Sequence, residues 1–126
     1  MAHKRIFTSF AIEDKLMRDF FVSQARNERV PYDLVDMSVK EAWNDEWKRR
    51  CRTKIKGCDG VIVLISKHLI KASGAIWEIK CAKEEGIPIL GVYMKSCTII
   101  DTPDELNGQK KVSWTWVNIA DFVNGL

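Results

Sequence analysis

Runs of consecutive apolar residues alternate with stretches in which apolar residues recur every fourth position, so strands and helices are predicted to take turns along the chain. Arg5-Ile6-Phe7-Thr8-Ser9-Phe10 opens the series as a short strand, rich in β-branched and aromatic residues and stopped by the polar Glu13-Asp14-Lys15. From Ile12 to Arg26, the residues Ile12, Leu16 and Phe20, with Met17 and Phe21 one step over, form the stripe of an amphipathic helix. Pro31 punctuates, and Tyr32-Asp33-Leu34-Val35-Asp36 reads as a second strand ending on an acid. Trp43, Trp47, Cys51 and Ile55 mark a second helix, which either buries its indoles or offers them to a ligand. Gly57-Cys58-Asp59-Gly60 breaks it. Val61-Ile62-Val63-Leu64-Ile65 follows without any alternation, as expected of a central strand covered on both faces. After Ser66 an irregular stretch leads to a helix from Ala75 to Glu85, stopped by Gly86, and Pro88 to Tyr93 supplies a fourth strand. Further on, Asp101-Thr102-Pro103-Asp104 reads as a turn or helix start, Val112 to Trp116 alternates like an edge strand, and Val117 to Val123 reads as a short last helix.

Successive clear strands are separated by roughly twenty residues carrying a helical pattern, a distance that suits right-handed parallel crossovers. The expected architecture is α/β, a doubly wound parallel sheet of four to five strands with helices on both faces, formed by residues 1–126 as one domain. In such a sheet ligands bind outside the carboxyl ends of the strands, near the point where strand order reverses. That rule selects Ser9, Phe10 and Ala11 after the first strand, Asp36 to Ser38 after the second, Ser66 to His68 after the third and Met94 to Ser96 after the fourth. Glu78, near the start of the third helix, belongs to the same rim. In a first helical turn its carboxylate would be favoured by the helix dipole.

Charge changes this picture little. The 20 basic and 17 acidic residues leave a formal charge of +3, and the basic ones are spread along the chain, so nucleic acid is not an expected partner. The densest cluster, Lys48, Arg49, Arg50, Arg52, Lys54 and Lys56, reads as the solvated side of the second helix, with attraction of an anionic nucleotide or a contact to another copy as the functional alternatives. No apolar run approaches the roughly 18 to 20 residues that span a bilayer, and the start MAHKRIFTSF lacks a signal-peptide core, so a cytoplasmic protein without a membrane partner is expected. Cys51, Cys58, Cys81 and Cys97 show no CxxC spacing, and His3 and His68 lie far apart, so neither a metal site nor a disulfide is expected.

Several chemistries fall on missing motifs. There is no GxxxxGK[ST], no GxGxxG after the first strand and no GxSxG elbow, which removes P-loop, dinucleotide-fold dehydrogenase and serine hydrolase readings. Glu13-Asp14 mimics the acidic pair of a phosphorelay receiver, but the third strand ends Leu64-Ile65-Ser66-Lys67, without the aspartate a receiver phosphorylates.

The opening Arg5 to Asp14, the Trp43 and Trp47 helix, Val61 to Ser66 and Ser73-Gly74-Ala75-Ile76-Trp77-Glu78 together resemble a TIR domain over residues 4–95, and among TIR-like groups the ThsB proteins of the Thoeris antiphage defence system. The resemblance implies a flavodoxin-like fold and cleavage of NAD, as substrate and without a cofactor, to a cyclic or modified ADP-ribose signal. It makes Glu78 the catalytic residue, although tryptophan and glutamate are adjacent here and the cysteine that usually separates them is absent. Ser9, Phe10, Ala11, Asp36, Trp43, Ser66 and Trp77 would then shape the substrate pocket. It further implies a separate effector protein responding to the product and self-association of the domain.

Plainer readings stand beside each of these. Glu78 would be a solvated glutamate at a helix start, Trp43 and Trp47 core residues, His68 a surface residue, and Ser9 and Ser66 partners of local backbone groups. Glu84 and Glu85 sit at the far end of their helix, away from the rim. Two other functions remain open: a non-catalytic module signalling by self-association, and an enzyme like the nucleoside deoxyribosyltransferases.

Overall fold

The computed structural model describes residues 3–126. Its elements are β1 (Lys4–Ser9), α1 (Lys15–Asn27), β2 (Tyr32–Val35), α2 (Asp45–Lys56), β3 (Gly60–Ile65), α3 (Ser73–Glu84), β4 (Ile89–Tyr93), β5 (Lys110–Ser113) and α4 (Trp116–Asn124), with 3-10 turns at Ile12–Asp14, Leu69–Lys71, Ile99–Asp101 and Asp104–Leu106. The strands lie in the order β2-β1-β3-β4-β5, and every neighbouring pair is parallel. This is the flavodoxin-like order, in which the chain reverses direction across the sheet between β1 and β3. Phe7 stands beside Val35 on one side and Val61 on the other, and Ser9 beside Val63, so the carboxyl ends of β1 and β3 form the crevice.

All six residues of β3 are buried, which is what its unbroken apolar run requires. Val61, Val63 and Ile65 face Trp47, Cys51, Ile55 and Ile79 of α2 and α3. Ile62 and Leu64 face the opposite layer, with Phe21 of α1 and Ile119 and Val123 of α4. Two cores therefore sandwich one sheet.

Several boundaries differ from expectation. The residues 12–14 form a 3-10 turn, so Ile12 is out of phase with the helix that follows. The stripe that packs is Met17, Phe21 and Ala25, whereas Ile12 and Phe20 are exposed and Leu16 is 84% exposed. Trp43 lies outside α2, because the Asn44 side chain accepts the Trp47 backbone N–H and starts the helix there. The supposed edge strand at 112–116 stops at Ser113. Thr115 caps α4 by accepting the Asn118 N–H, and Trp114 and Trp116 gather around Phe21, with Phe20 edge-on to Trp114. α3 begins at Ser73, which places Glu78 in its second turn, beyond the reach of a first-turn dipole effect. Gly86 follows α3 in the left-handed region, φ +69°, as its stop role requires.

One core residue escaped the pattern altogether. Leu106, in the 3-10 turn before β5, is fully buried in the layer of α2 and α3. Leu106→Ala is expected to destabilise the fold by about 2–5 kcal/mol, read as a lower urea midpoint with an unchanged m-value. No helix among the described residues is long and apolar enough to cross a membrane.

Candidate functional site

Glu78 lies wholly buried at the carboxyl end of β1. Alternation in β1 turns Ser9 towards α3, where its hydroxyl donates to Glu78 Oε1 at 2.7 Å. Oε2 accepts from Lys40 Nζ at 2.6 Å, and the Cys51 thiol approaches it at 3.9 Å from α2. The burial of the carboxyl pushes its pKa up to about 7, while Lys40 and Ser9 act against that rise and Asp36 adds to it. Burial and the neighbouring Glu78 also push the Cys51 thiol up, so it stays protonated.

Lys40 is carried by the segment between β2 and α2, and its side chain is only 4% exposed. Its ammonium also lies over the Phe10 ring, 4.1 Å from the centroid, while the Arg18 guanidinium stands 4.9 Å from the same ring. Arg18 donates to Asp36 at 2.6 Å, and the Asp36 carbonyl accepts from Lys54 at 2.9 Å. One chain of contacts thus runs from Asp36 through Arg18, Phe10 and Lys40 to Glu78 and Ser9. Beside it, a cleft of about 470 Å³ is lined by Asp36, Met37, Ser38, Val39, Glu41 and Trp47 among others, and Glu78 is not one of its walls.

A second cluster sits where β3 ends. Ser66 donates to Asp14 Oδ2, and His68 Nδ1 lies 3.0 Å from Oδ1 of the same carboxylate. Asp14 is held in its turn by the Ala11 carbonyl, which accepts its backbone N–H at 2.8 Å. Asp14 thereby ties the ends of β1 and β3 together. Among the described residues, no group of three His, Cys, Asp or Glu side chains could hold a metal ion, and all four cysteines are free.

Of the residues selected from sequence, the structure brings together Ser9, Phe10, Asp36 and Glu78. Ala11 is buried and serves the turn through its backbone. Ser9 and Ser66 bond to carboxylates and not to the local backbone groups expected of them. Trp77, next to Glu78 in sequence, turns instead to α2, against Trp47 at 5.5 Å and beneath Arg52. Trp43 is 75% exposed and makes no part of the core. Trp47 is buried, and its indole N–H donates to the Val39 carbonyl at 2.6 Å. Glu84 and Glu85 both pair with Arg52, remote from the rim as expected. Glu78 is not the solvated glutamate of the plainer reading.

Sequence reasoning missed Lys40 and Arg18, and saw Asp14 only as half of an acidic pair without its partners Ser66 and His68. A lysine between a strand and a helix looks like any solvated residue. The one signal was Gly74, a glycine at a helix start, where a side chain would meet Lys40 Cβ at 2.6 Å.

Residues 7–98 match the family model of the Thoeris protein ThsB, TIR-like domain. Among solved structures the chain is similar to a CMP N-glycosidase, BcmB, from Clostridium botulinum, with 17% identity, 94% of this chain and 99% of that one covered, and a TM-score of 0.57. A 3-dehydroquinate dehydratase-like protein from Bifidobacterium longum is less alike, with 8% identity over 99% of this chain and 94% of that one and a TM-score of 0.42. No curated protein matches the chain significantly.

Proposed function

Starting from a chain that belongs to the TIR-like domains of the Thoeris protein ThsB, a defence-related family, we propose that it is an enzyme of the NAD nucleosidase or ADP-ribose cyclase type. It would cleave NAD at the nicotinamide ribosyl bond and leave a cyclic or otherwise modified ADP-ribose as a signal for a separate effector protein. NAD is here the substrate, and no cofactor is invoked.

The observation that carries this reading is Glu78, a buried carboxylate held by a serine and a lysine at the crevice between β1 and β3. When the C1′–N bond of NAD breaks, the electron pair goes to the nicotinamide nitrogen and the ring leaves neutral, so no general acid is needed to protonate it. The ribose is left with oxocarbenium character, as in glycoside hydrolysis. An ionised Glu78 would stabilise that charge, more strongly in a site without water, and Ser9 would orient it. Phe10 and Asp36 would bound the pocket, and the exposed Trp43 offers a face on which a ring can stack. Ser66 and Trp77 keep structural roles, through Asp14 and Trp47. The fold also accommodates an N-glycosidase of CMP in a distant neighbour, which is the same class of bond.

A second reading, a non-catalytic module that self-associates, draws on the exposed apolar residues Leu16 and Phe20 of α1 and Ile12 of the turn before it. Incubating the purified chain with NAD and, separately, with CMP decides between the readings. Nicotinamide release matching NAD loss, with CMP intact, is expected. Cytosine release alone would make it a nucleotide glycosidase of another specificity. Neither product at any protein concentration would leave the association module.

A further inference from the structure

Lys40 stands against the carboxylate on which the proposed reaction turns. Its ammonium meets both groups that attract an organic cation, the Glu78 carboxylate at 2.6 Å and the face of Phe10 at 4.1 Å. The backbone is fitted to it. Gly74, the second residue of α3, lies so close that a Cβ there would stand 2.6 Å from Lys40 Cβ and 3.2 Å from Cγ, so the lysine stem can cross the start of the helix only because this residue is glycine.

We propose that Lys40 is a specificity-determining residue: its ammonium stands in for a positively charged ring, and the place between Phe10 and Glu78 exchanges it only for a ligand that brings a cation of its own. This rests on the reading of Glu78 as the centre of the site.

The reason lies in the buried charge. A carboxylate without exposure to water keeps its charge only with a cation beside it, and Lys40 is the cation in direct contact. A neutral nucleobase that pushed Lys40 aside would strand that charge. A pyridinium ring replaces it and keeps the contact with Phe10.

The exchange is mechanically accessible. Lys40 sits on a segment without regular structure between β2 and α2, which is held at its start by Asp36 to Arg18 and just before Lys40 by the Val39 carbonyl to Trp47. The cleft of about 470 Å³ lies along that same segment, walled by Met37, Ser38, Val39 and Glu41, and gives it room to shift. Outside the seat, the lysine head regains water at the end of a flexible stem.

The test compares 1-methylnicotinamide, a cation, with nicotinamide, its neutral counterpart, by equilibrium titration at pH 8 against four versions of the chain: wild type, Lys40→Met, Gly74→Ala and Glu78→Gln. Without Lys40 the buried carboxyl holds a proton until a cation arrives, so Lys40→Met is expected to bind the cation at least tenfold more tightly with release of that proton, and to leave nicotinamide unchanged. Gly74→Ala, which retains Lys40 but crowds its stem, is expected to shift binding in the same direction, so the result does not hang on one variant's folding. Glu78→Gln is expected to abolish the preference for the cation. Equal or weaker cation binding by both Lys40→Met and Gly74→Ala would overturn the proposal and make Lys40 a ligand contact, as would nicotinamide binding as well as the cation. Because no bond is broken in these titrations, a cation preference without NAD cleavage would sink the activity and leave the exchange intact.

Discussion

Glu78→Gln is expected to lower nicotinamide release from NAD by about a thousandfold or more, while the variant still folds. Removing a single neutral donor from a preorganised site costs about a hundred- to a thousandfold, and a full charge aimed at a developing cation contributes at least as much. Glutamine retains the shape of the side chain and can accept the Ser9 hydroxyl, which donates at 2.7 Å to the wild-type carboxylate. What it loses is the charge. The loss should therefore fall on kcat and kcat/KM together, because the oxocarbenium character exists only in the transition state. A variant that raised KM alone would mean that Glu78 binds substrate without stabilising the ribosyl cation. Thermal unfolding of the same sample checks that the lost activity is not lost structure.

The second large effect is on stability. The Glu78 carboxyl titrates near pH 7 in the folded chain and, fully solvated in the unfolded chain, near its ordinary value of 4.5. The folded state thus holds this proton more tightly. The contribution favours folding fully below pH 4.5 and is lost as the pH rises through 7, and it amounts to about 3 kcal/mol. Other carboxylates titrate in the same range, so the quantity to measure is the difference between wild type and Glu78→Gln in urea unfolding at pH 4.5 and pH 8. Wild type should lose about 3 kcal/mol relative to the variant over that interval. No change in the difference would mean that the carboxyl is ionised throughout, held so by Lys40. The same ionisation predicts that kcat/KM rises with pH through about 7, since that ratio reports the free enzyme.

The layered fold was legible because its strands carry strong, uninterrupted signals. Val61 to Ile65 announced a strand buried on both faces, and the four-residue spacing of Trp47, Cys51 and Ile55 placed a helix against it. α1 was legible only as a helix. The sequence from Ile12 to Ala25 carries two overlapping apolar stripes, Ile12-Leu16-Phe20 and Met17-Phe21-Ala25, and periodicity alone does not say which one meets the sheet. The 3-10 turn at 12–14 decides it by taking Ile12 out of phase.

The site divides along a similar line. Ser9, Phe10 and Glu78 follow from topology, since strand ends and the helix start that faces them are placed by the fold itself. Lys40 does not. Its position depends on an irregular segment whose course is set by contacts far apart in sequence, Arg18 to Asp36 and Trp47 to Val39, and by a glycine on another element. Asp14 was visible as half of an acidic pair, but its partners Ser66 and His68 lie on a different strand end.

Nicotinamide release from NAD by the purified wild-type chain at high protein concentration, run beside Glu78→Gln, bears most directly on the central claim. Release by wild type that disappears in the variant is the predicted result. Equal release from both, or none from wild type across the whole concentration range, would contradict it.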